Sequence, residues 1–353
     1  MNLYNDLYLD DINSIANSDL LWHKLRNGSV LISGSTGLLG SFLIDVLMEK
    51  NLKGLNCRIY ALGRSVQKAE IRFSRWINHA NFTFCVCDVN KDIALENVSN
   101  IDYVLHFASN THPMQYSTDP IGTIMTNIVG LRNMLEFAAK HQCRRFSFAS
   151  SVEVYGENRG DVDLFDESYC GYINSNILRA GYPESKRCGE ALCQAYRKQM
   201  GFDVVIPRFA RSYGPTMSLD DSRAISQFLI KGMNRENIVL KSDGSQLFSY
   251  TYMADAVSGF LTALLSGKDG DAYNIADEES NISLKDLAKI TADYAGSSVV
   301  YRAPDAVEKA GYSKATKSLM NGNKLKELGW KPLYSIKTGV PRTIDILRDV
   351  CKS

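Results

Sequence analysis

The sequence predicts an α/β protein with a doubly wound parallel sheet and a smaller C-terminal α/β lobe. Two observations carry this prediction. From residue 29 to residue 210, short apolar runs alternate with helical patterns, which is typical of parallel strands joined by right-handed helical crossovers. After the run DVVIPRF at 203–209 this rhythm breaks, and shorter segments follow. We therefore expect a helical extension at 1–28, a sheet domain at 29–210, and a lobe at 211–353 that partly returns to the first domain.

Each element follows from its own pattern of apolar residues. Residues 7–25 have loosely helical spacing and predict one or two helices that pack on the first strand, without any chemistry. Further strands are predicted at 58–64, 82–89, 101–108, 145–151 and 203–209, with a long helix at 121–141. The second lobe is predicted to hold a loop at 212–221, helices at 222–233, 254–265 and 283–295, and strands at 238–240 and 249–252.

Composition restricts the class of protein. Forty basic and 39 acidic residues give a formal net charge of +1, so nothing indicates a nucleic-acid or anionic-membrane partner. The eight cysteines form no CxxC pair and no Cys/His spacing for zinc, which indicates reduced thiols and no metal site. Residues 1–28 lack the pattern of a signal peptide, and no apolar run approaches the ~18 residues of a membrane span. We expect a soluble cytoplasmic protein.

Residues 30–48, VLISGSTGLLGSFLIDVLM, are typical of a strand, a glycine-rich turn and a helix. Gly34 would permit the tight turn, Gly37 would let the backbone approach a pyrophosphate, and Gly40 would let the helix pack close to the sheet. The phosphates would lie on the free N–H groups and the positive dipole end of the helix. A glycine-rich loop without a ligand is the alternative. We predict a Rossmann dinucleotide-binding domain at 29–210, with Thr36, Leu38 and Leu39 in the same site.

The ends of the next two strands bear on the adenosine part of such a cofactor. The run RIYALGR at 58–64 ends in Gly63 and Arg64, where dinucleotide folds often place a carboxylate for the ribose. An arginine there can stack on adenine or pair with a 2′-phosphate, or it is only solvated. The third strand ends in Asp88 and Val89, and Asp88 could accept a hydrogen bond from the adenine amino group.

Tyr182 and Lys186 open a long helical pattern, and their four-residue spacing places the phenol and the ammonium on one face. The ammonium and a nicotinamide cation would both favour the phenolate, which could take a proton from a sugar hydroxyl while hydride leaves the same carbon. Ser151, at the end of a strand, would hydrogen-bond that hydroxyl. Because chance places a tyrosine and a lysine at this spacing in many helices, the pair alone is weak.

Together these motifs resemble the extended short-chain dehydrogenase/reductases that act on nucleotide sugars, over nearly the whole chain. The matching segments occur in family order and are GSTGLLG, HFAS at 106–109, the helix with Asn127, FASSVEVYG at 148–156, YPESK, RFARSYGP at 208–215 and YTYMADA at 250–256. Within this family the chain is most similar to the UDP-glucuronate decarboxylases. That similarity lies in DPIGT at 119–123, SSVEVYG, the run from Arg179 to YPESKR, CQAY, and the DDSR segment that ends at Arg223.

The resemblance implies a cofactor, NAD or NADP, that stays tightly bound and is recycled. NAD is favoured by the resemblance, and NADP by Arg64. The resemblance also implies further cofactor-binding residues, which are Phe107, Ala108, Ser109, Asn127, Tyr182, Lys186 and Arg208. The implied catalytic residues are Tyr182, Lys186, Ser151 and Glu153. The implied substrate-binding residues are Ser109, His112, Ser151, Arg179, Arg211, Arg223 and Lys317.

The resemblance also implies a homodimer, in which the helices at 121–141 and 182–200 of two chains form a four-helix bundle. Candidate residues for that seam are Met134, Leu135, Leu192 and Tyr196. All four could equally belong to the core that faces the sheet.

Three residues near the expected reaction centre distinguish this chain within the family. Val152 stands where 4,6-dehydratases carry the aspartate that protonates the departing hydroxyl, which argues against dehydration. Glu153 stands where decarboxylases and dehydratases keep a glutamate and plain 4-epimerases usually lack one. Ser151 replaces the commoner threonine and keeps its hydroxyl.

The cations expected around the substrate have also changed. Phe248 falls where these enzymes usually place an arginine on the nucleotide diphosphate, and Arg211 falls where they usually have an asparagine. Lys317 falls where decarboxylases have a catalytic arginine. We therefore expect Arg211 to hold the substrate's diphosphate or carboxylate, with a surface arginine as the alternative.

The resemblance implies that hydride leaves C4 of a nucleotide-linked sugar and gives a 4-keto intermediate. If C6 is a carboxylate, this intermediate is a β-keto acid that can lose CO2. Otherwise the ketone can turn and be reduced on its other face. Decarboxylation is our first expectation, 4-epimerisation the second and 4-keto reduction the third. A regulatory protein that binds dinucleotide without turnover is the alternative from another class, and the presence of Ser151, Tyr182 and Lys186 argues against it.

Overall fold

The computed structural model describes residues 3–95, 98, 100–306 and 315–352. Its strands are β1 Ser29–Ser33, β2 Arg58–Gly63, β3 Phe82–Val86, β4 Tyr103–His106, β5 Arg145–Phe148, β6 Ser150–Ser151, β7 Asp203–Phe209, β8 Arg211–Tyr213, β9 Ile238–Leu240, β10 Leu247–Tyr252, β11 Ala272–Ile275, β12 Asn281–Ser283, β13 Val299–Tyr301 and β14 Lys317–Ser318.

Helices alternate with the first strands, as the sequence pattern predicts. They are α1 Asp6–Ala16, α2 Leu38–Leu52, α3 Val66–Arg72, α4 Pro113–Thr118, α5 Pro120–Met125, α6 Leu131–Lys140, α7 Gly181–Met200, α8 Ala224–Met233, α9 Met253–Ser266, α10 Leu284–Ala295, α11 Asn323–Lys326 and α12 Ile336–Lys352.

The main sheet is parallel and doubly wound, which confirms the predicted fold class. Its strand order is β11, β7, β5, β4, β1, β2, β3, and the short strand β6 also pairs with β7. Every pairing in this sheet is parallel. All residues of β1 and β4 are buried, because helices cover both faces of the sheet. The carboxyl ends of these strands therefore meet along one edge, where such sheets bind ligands.

The second lobe contains two smaller sheets. Strand β10 pairs antiparallel with β12 and parallel with β8 and β14, and β13 pairs with β9. Strand β11 leaves this lobe and joins the edge of the main sheet beside β7. The sequence patterns did not predict β11 as a strand, although they did predict that the last part of the chain returns to the first domain. The domain boundaries themselves stay a prediction.

The predicted helix at 121–141 is interrupted at its centre. Between α5 and α6, residues Thr126–Gly130 form a π-helical turn. The turn contains Asn127, which is completely buried. Such turns are frequent at functional sites because they redirect a side chain that a regular helix would point elsewhere.

Two residues proposed for a dimer seam lie in the core instead. Met134 and Leu135 are 0% exposed and pack in the apolar cluster beneath the sheet, which corrects the seam prediction for them. Leu192 and Tyr196 are partly buried against the same cluster. A second chain could therefore contact Leu192 and Tyr196, but not the two buried residues.

The N-terminal extension packs mainly on helices, and not on the first strand as expected. Helix α1 lies against α2 and α9. The carboxylate of Asp11 on α1 is buried and accepts hydrogen bonds from the hydroxyl of Tyr252 at 2.5 Å and from Nε of Arg342 at 2.7 Å. The extension thus ties the end of β10 to the last helix. Among the described residues, no helix combines the length and apolarity needed to cross a membrane.

Candidate active site

The three glycines after β1 have three different surroundings. Gly34 has φ +66°, and a Cβ there would lie 2.7 Å from the amide nitrogen of Ala108. A Cβ on Gly40 would overlap the Gly34 carbonyl, so the fold itself requires both glycines. Gly37 is exposed, has an ordinary φ of −80°, and its Cβ would meet only the Gly34 oxygen at 3.2 Å. The middle glycine is therefore less closely surrounded than the other two, although a Cβ there would still contact one backbone oxygen tightly.

Helix α2 begins directly after the middle glycine of this turn. Its N-cap is Gly37, and no side chain caps the first turn, so the first N–H groups point outward without an intrahelical partner. Thr36, Leu38 and Leu39 are half-buried around this turn. The carbonyl of Leu38 accepts a hydrogen bond from the Thr216 hydroxyl at 2.7 Å. The second lobe is therefore attached to the start of the helix on which phosphates would lie.

The end of β2 carries two candidate residues, a half-buried glycine and an exposed arginine. A Cβ on Gly63 would lie 2.9 Å from the ring of Phe84, so packing against that ring explains the glycine without a ligand. Arg64 is exposed and makes no hydrogen bond or ion pair with the described residues. Arg64 is therefore available to stack on adenine or to bind a phosphate, and both alternatives stay open.

The loop after β3 is held by a side chain that the sequence patterns did not indicate. The amide of Asn133 on α6 donates to the carbonyl of Val89 at 2.9 Å and to that of Lys91 at 3.1 Å. One carboxylate oxygen of Asp88 accepts from the backbone of Asn90 at 3.0 Å, which leaves the other oxygen for a ligand. A buried asparagine within a helix is the signal that points to this role.

The end of β4 is connected to the interrupted helix by hydrogen bonds. Ser109 Oγ donates to Asn127 Oδ1 at 2.7 Å, and Asn127 Nδ2 donates to Ser185 Oγ at 2.9 Å. The backbone N–H of Ala108 donates to the Ser33 hydroxyl at 3.4 Å. The ring of Phe107 packs in the core, so only its backbone faces the site. The predicted cofactor residues of this region therefore lie together at the sheet edge.

Ser151 and Tyr182 meet at the end of β6 and the start of α7. The Ser151 hydroxyl lies close enough to the Tyr182 phenol to lower its pKa. Burial has the opposite and larger effect, and with the charge of Glu153 it raises the pKa of Tyr182 to about 12. The protein groups alone therefore keep Tyr182 protonated and do not produce the expected phenolate, because the effect of burial on the pKa outweighs that of the neighbouring positive charges.

Lys186 lies one turn further along α7 and is 2% exposed. Its Nζ donates to the carbonyl of Ala149 at 2.8 Å and lies 5.8 Å from the centre of the Tyr182 ring. No described carboxylate forms an ion pair with it, and burial lowers its pKa to about 7. Of its three donors, two remain for groups that the protein does not supply.

Glu153 is paired with Arg179 beside the reactive tyrosine. Arg179 Nη2 donates to Glu153 Oε1 at 2.6 Å. Although burial raises the pKa of Glu153, the charge and hydrogen bond of Arg179 outweigh it, so the carboxyl group is ionised. Arg179 also lies 4.5 Å from the ring centre of Tyr116, whose ring stacks on that of Tyr182 at 4.9 Å. The sequence patterns missed Tyr116, which lies in a short helix with no distinctive spacing.

Asp221 holds two of the predicted substrate-binding residues, His112 and Arg223. Its buried carboxylate accepts from His112 Nδ1 at 3.1 Å and from Arg223 Nη2 at 2.6 Å. Burial alone would raise the pKa of Asp221, but these two partners hold it well below its usual range. Asp221 was not among the predicted site residues, although its place in DDSR, two residues before Arg223, was a signal.

Arg211 lies in a different environment from the other arginines. Its guanidinium carbon is 3.8 Å from the centre of the Phe248 ring, and its Nε is buried without a hydrogen-bond partner. The residue lines a cavity together with Arg223, Phe248, Tyr250 and the first turn of α8. The two positions that depart from the family pattern are therefore in direct contact.

Arg208 does not fit the expected cofactor-binding role. Its guanidinium donates to both carboxylate oxygens of Glu190, at 2.9 and 2.7 Å, to the hydroxyl of Tyr155 at 3.0 Å and to the carbonyl of Glu167 at 2.8 Å. Four of its five donor hydrogens are thus used within the protein. Arg208 stabilises the end of β7, which corrects the prediction.

Lys317 does not fit the expected substrate-binding role. In the β10–β14 register it lies opposite Leu247, and Ser318 lies opposite Phe248. Because successive side chains on a strand point to opposite faces, Lys317 points away from the face that carries Phe248 and the cavity. Its Nζ instead donates to the fully exposed Asp163 at 2.9 Å. This finding corrects the prediction.

Comparison with known proteins is consistent with this geometry. The model of the NAD dependent epimerase/dehydratase family matches residues 30–276. UDP-glucuronic acid decarboxylase 3 of Arabidopsis thaliana is 30% identical over 321 residues, which cover 89% of this chain and 87% of that protein. UDP-glucuronic acid decarboxylase 1 of Xenopus tropicalis is 30% identical over 323 residues, which cover 90% and 72% of the two chains.

Solved structures share the fold at lower identity. UDP-glucuronic acid 4-epimerase from Bacillus cereus, in complex with UDP-glucuronic acid and NAD, has a TM-score of 0.77 at 21% identity and covers 91% of this chain and 99% of its own. The dTDP-glucose 4,6-dehydratase DesIV from Streptomyces venezuelae, with NAD bound, has a TM-score of 0.78 at 23% identity and covers 91% and 97%. The similarity to both structures extends over the sheet domain and the second lobe.

Proposed function

Because this chain belongs to the NAD-dependent epimerase/dehydratase family, we propose that it oxidises C4 of a nucleotide-linked sugar transiently and that it decarboxylates a UDP-glucuronate-like substrate. The observation that carries the proposal is the contact of Ser151 with Tyr182, beside the buried Lys186 and the ionised Glu153. A dinucleotide-binding protein without turnover would not need these four groups in one place.

The residues at the sheet edge fit a nicotinamide dinucleotide. The exposed backbone at Gly37 and the uncapped start of α2 suit a pyrophosphate, and the two unused donors of Lys186 suit ribose hydroxyls. Asn127 and Ser109 would border the nicotinamide end, and Asp88 the adenine end. When bound, the nicotinamide accepts a hydride from the substrate and later returns it.

Within this site, Tyr182 would be the general base. Ser151 would hold the C4 hydroxyl of the sugar, and Tyr182 would take its proton as hydride leaves C4. Because burial raises the pKa of Tyr182 to about 12, this step needs a positive charge that favours the phenolate. Lys186 supplies one when it is protonated, and the oxidised nicotinamide supplies another.

Loss of CO2 would follow from the 4-ketone. In a 4-keto uronic acid the C5–C6 bond breaks, CO2 leaves, and the electron pair forms an enolate that is protonated at C5. The ketone is then reduced by the returned hydride. Glu153 and Arg179 lie beside Tyr182, where they could orient the C6 group or a water molecule. The retained Glu153 and the 30% identity to decarboxylases over most of the chain favour this reaction.

A 4-epimerase is the second candidate, since it uses the same oxidation and differs in what happens to the ketone. The experiment is to incubate the purified protein with UDP-glucuronic acid labelled with ¹³C at C6, and with UDP-glucose. Decarboxylation releases labelled CO2 and a lighter product, and epimerisation gives a product of unchanged mass. Tyr182→Phe is the control. A wild-type protein that alters neither substrate nor other nucleotide sugars would contradict the proposal.

We also keep the homodimer as a proposal. The apolar side chains of Ile121 and Met125 on α5 are 74% and 44% exposed, on the same helical segment that was expected to pair with a second chain. Light scattering at micromolar concentration would show the dimer, and Ile121→Glu with Met125→Glu is expected to give a monomer. A wild-type monomer would contradict this proposal.

A further inference from the structure

Arg211 differs from the neighbouring arginines because no described carboxylate neutralises it. Arg179 is paired with Glu153, and Arg223 is paired with Asp221. The Nε atoms of Arg179 and Arg211 are both buried without a partner, but in the part of the chain that the structure describes Arg211 also has no ion pair. A buried guanidinium nitrogen without an acceptor costs free energy, so this arrangement indicates an acceptor that a ligand supplies.

Phe248 fixes the orientation of this guanidinium. The Arg211 carbon Cζ lies 3.8 Å from the ring centre, within the range of a cation–π contact. Arg211 pairs with Tyr250 in the β8–β10 register, and Phe248 lies two residues earlier on the same face of β10. Stacking occupies one face of the planar guanidinium, which leaves the N–H edge free for hydrogen bonds in its plane.

The surroundings of Arg211 suit an anion. Arg223 and the first two residues of α8 line the same cavity. The first N–H groups of a helix have no intrahelical acceptor and carry the positive end of its dipole. The other walls are the rings of Phe248 and Tyr250 and the side chain of Leu284, which exclude water. Donors and a positive potential therefore converge in a cavity with little competing solvent.

We infer that Arg211, stacked on Phe248, binds an oxyanion of the substrate, which is either the nucleotide diphosphate or a C6 carboxylate. The inference rests on the proposed function, which supplies the substrate class. Burial raises the pKa of Glu153. Arg179 lowers it, and the charge of Arg211 lowers it to a smaller extent. The charge of Arg211 therefore acts on a group beside the reactive tyrosine, and a guanidinium can hold either anion with two parallel hydrogen bonds.

The test is calorimetric binding of UDP, UDP-glucose and UDP-glucuronic acid to the cofactor-loaded wild type and to Arg211→Gln. If Arg211 holds the diphosphate, the affinity for all three ligands falls by about 30-fold or more. If it holds the carboxylate, only UDP-glucuronic acid is affected. Phe248→Leu is expected to weaken the same ligands less, because the charge remains. Arg26→Gln changes an exposed arginine outside the cavity and is the matched control.

The outcomes separate this inference from the proposed function. If Arg211→Gln is folded by circular dichroism and binds all three ligands like the wild type, the inference is wrong and the proposed function is unaffected. Arg211-dependent binding of UDP without turnover of any nucleotide sugar would contradict the proposed function only. A wild type that binds none of the three would overturn both. Arg211→Lys keeps the charge without the planar fork, and it is expected to retain part of the affinity even if the glutamine variant unfolds.

Discussion

The cofactor half and the substrate half of the site differ in how their functional groups are held. The cofactor half consists mainly of backbone and small side chains, such as Gly37 and the Ser109–Asn127 pair at 2.7 Å. The substrate half consists mainly of charged side chains, in which Arg179 and Arg223 each have a carboxylate partner. Arg211 has none among the described residues. Binding in the cofactor half therefore depends on the conformation of the backbone. Binding in the substrate half depends on which charged side chains form ion pairs.

This difference explains why the two halves differ in predictability. A glycine turn acts through its own φ angles and the helix that follows it, so its role is contained within a few residues. The positive charge of Arg223 is neutralised by Asp221. That carboxylate also accepts a hydrogen bond from His112, which lies 109 residues away in the chain. Only folding brings such partners together.

Gly37→Val should abolish cofactor binding while the protein stays folded. The backbone at this position is ordinary, and the new Cβ would meet the Gly34 oxygen at 3.2 Å, which a shift of a few tenths of an ångström relieves, whereas a pyrophosphate would lose its close approach to the backbone. Denaturing release and mass analysis of bound nucleotide would show the loss. Gly54→Ala, at a φ of +87° far from the site, should cost about 1 kcal/mol of stability and keep the nucleotide. Retained dinucleotide in Gly37→Val would contradict the phosphate assignment.

Asp221→Asn should destabilise the substrate half. Loss of the carboxylate leaves Arg223 without its counter-ion, which we expect to lower the free energy of unfolding by about 3 kcal/mol at pH 7. Because the folded-state pKa of Asp221 is lowered, its stabilisation is present above the ordinary aspartate pKa of about 4 and is lost as the pH falls below it. The variant should lack that part of the acid sensitivity.

Urea unfolding at pH 7 and at lower pH would measure both effects of Asp221→Asn. Asp220→Asn removes the neighbouring, exposed carboxylate and is the matched control. An equal decrease in the free energy of unfolding in the two variants would show that the buried carboxylate stabilises the protein no more than the exposed one.

Tyr182→Phe should lower kcat by about 10²-fold or more and leave substrate binding largely unchanged. The substitution removes only the hydroxyl, and the ring can keep its stack on Tyr116 at 4.9 Å. Steady-state kinetics and calorimetric binding would separate the two effects. Tyr116→Phe removes a hydroxyl from the other ring and should have little effect. An active Tyr182→Phe variant would mean that another group is the base.

Two substitutions should move the pH dependence of kcat in opposite directions. Lys186→Met removes a positive charge beside Tyr182, which disfavours the phenolate and should move the profile to higher pH. Glu153→Gln removes a negative charge that raises the pKa of Tyr182, and it should move the profile to lower pH. Rate profiles of both variants would test this. Movement in the same direction would show that charge near Tyr182 does not control the reaction.

Arg64→Ala should have the smallest effect, because Arg64 is exposed. If the guanidinium pairs with a 2′-phosphate, the affinity for NADP should fall by about threefold or more and that for NAD should not. If it stacks on adenine, both affinities should fall slightly and equally. Fluorescence titration with the reduced cofactors would distinguish the two cases, and release of bound cofactor from the wild type would identify the form it carries. Unchanged affinities would mean that Arg64 is only solvated.

Several parts of the site were predictable because the signal is local. The turn at Gly34 needs a positive φ, and Gly40 needs close packing, so both follow from the glycine spacing. The one-turn separation of Tyr182 and Lys186 follows from helix geometry. Other parts were not predictable in this way. Arg208 was expected to bind the cofactor but is bound to Glu190 at the end of β7, and Met134, for which both a dimer seam and the core were open, is buried.

Local patterns in the sequence encode the parallel α/β fold, the glycine turn and the helix that presents the tyrosine, because periodicity and backbone conformation act over a few residues. Motifs in a fixed order identify the family. Which charges are neutralised depends on the folded structure. It pairs Glu153 with Arg179 and Lys317 with Asp163, and it stacks Arg211 on Phe248. The reason is physical: the strength of a charge depends on burial and on partners that lie far away in the chain, which no local pattern encodes.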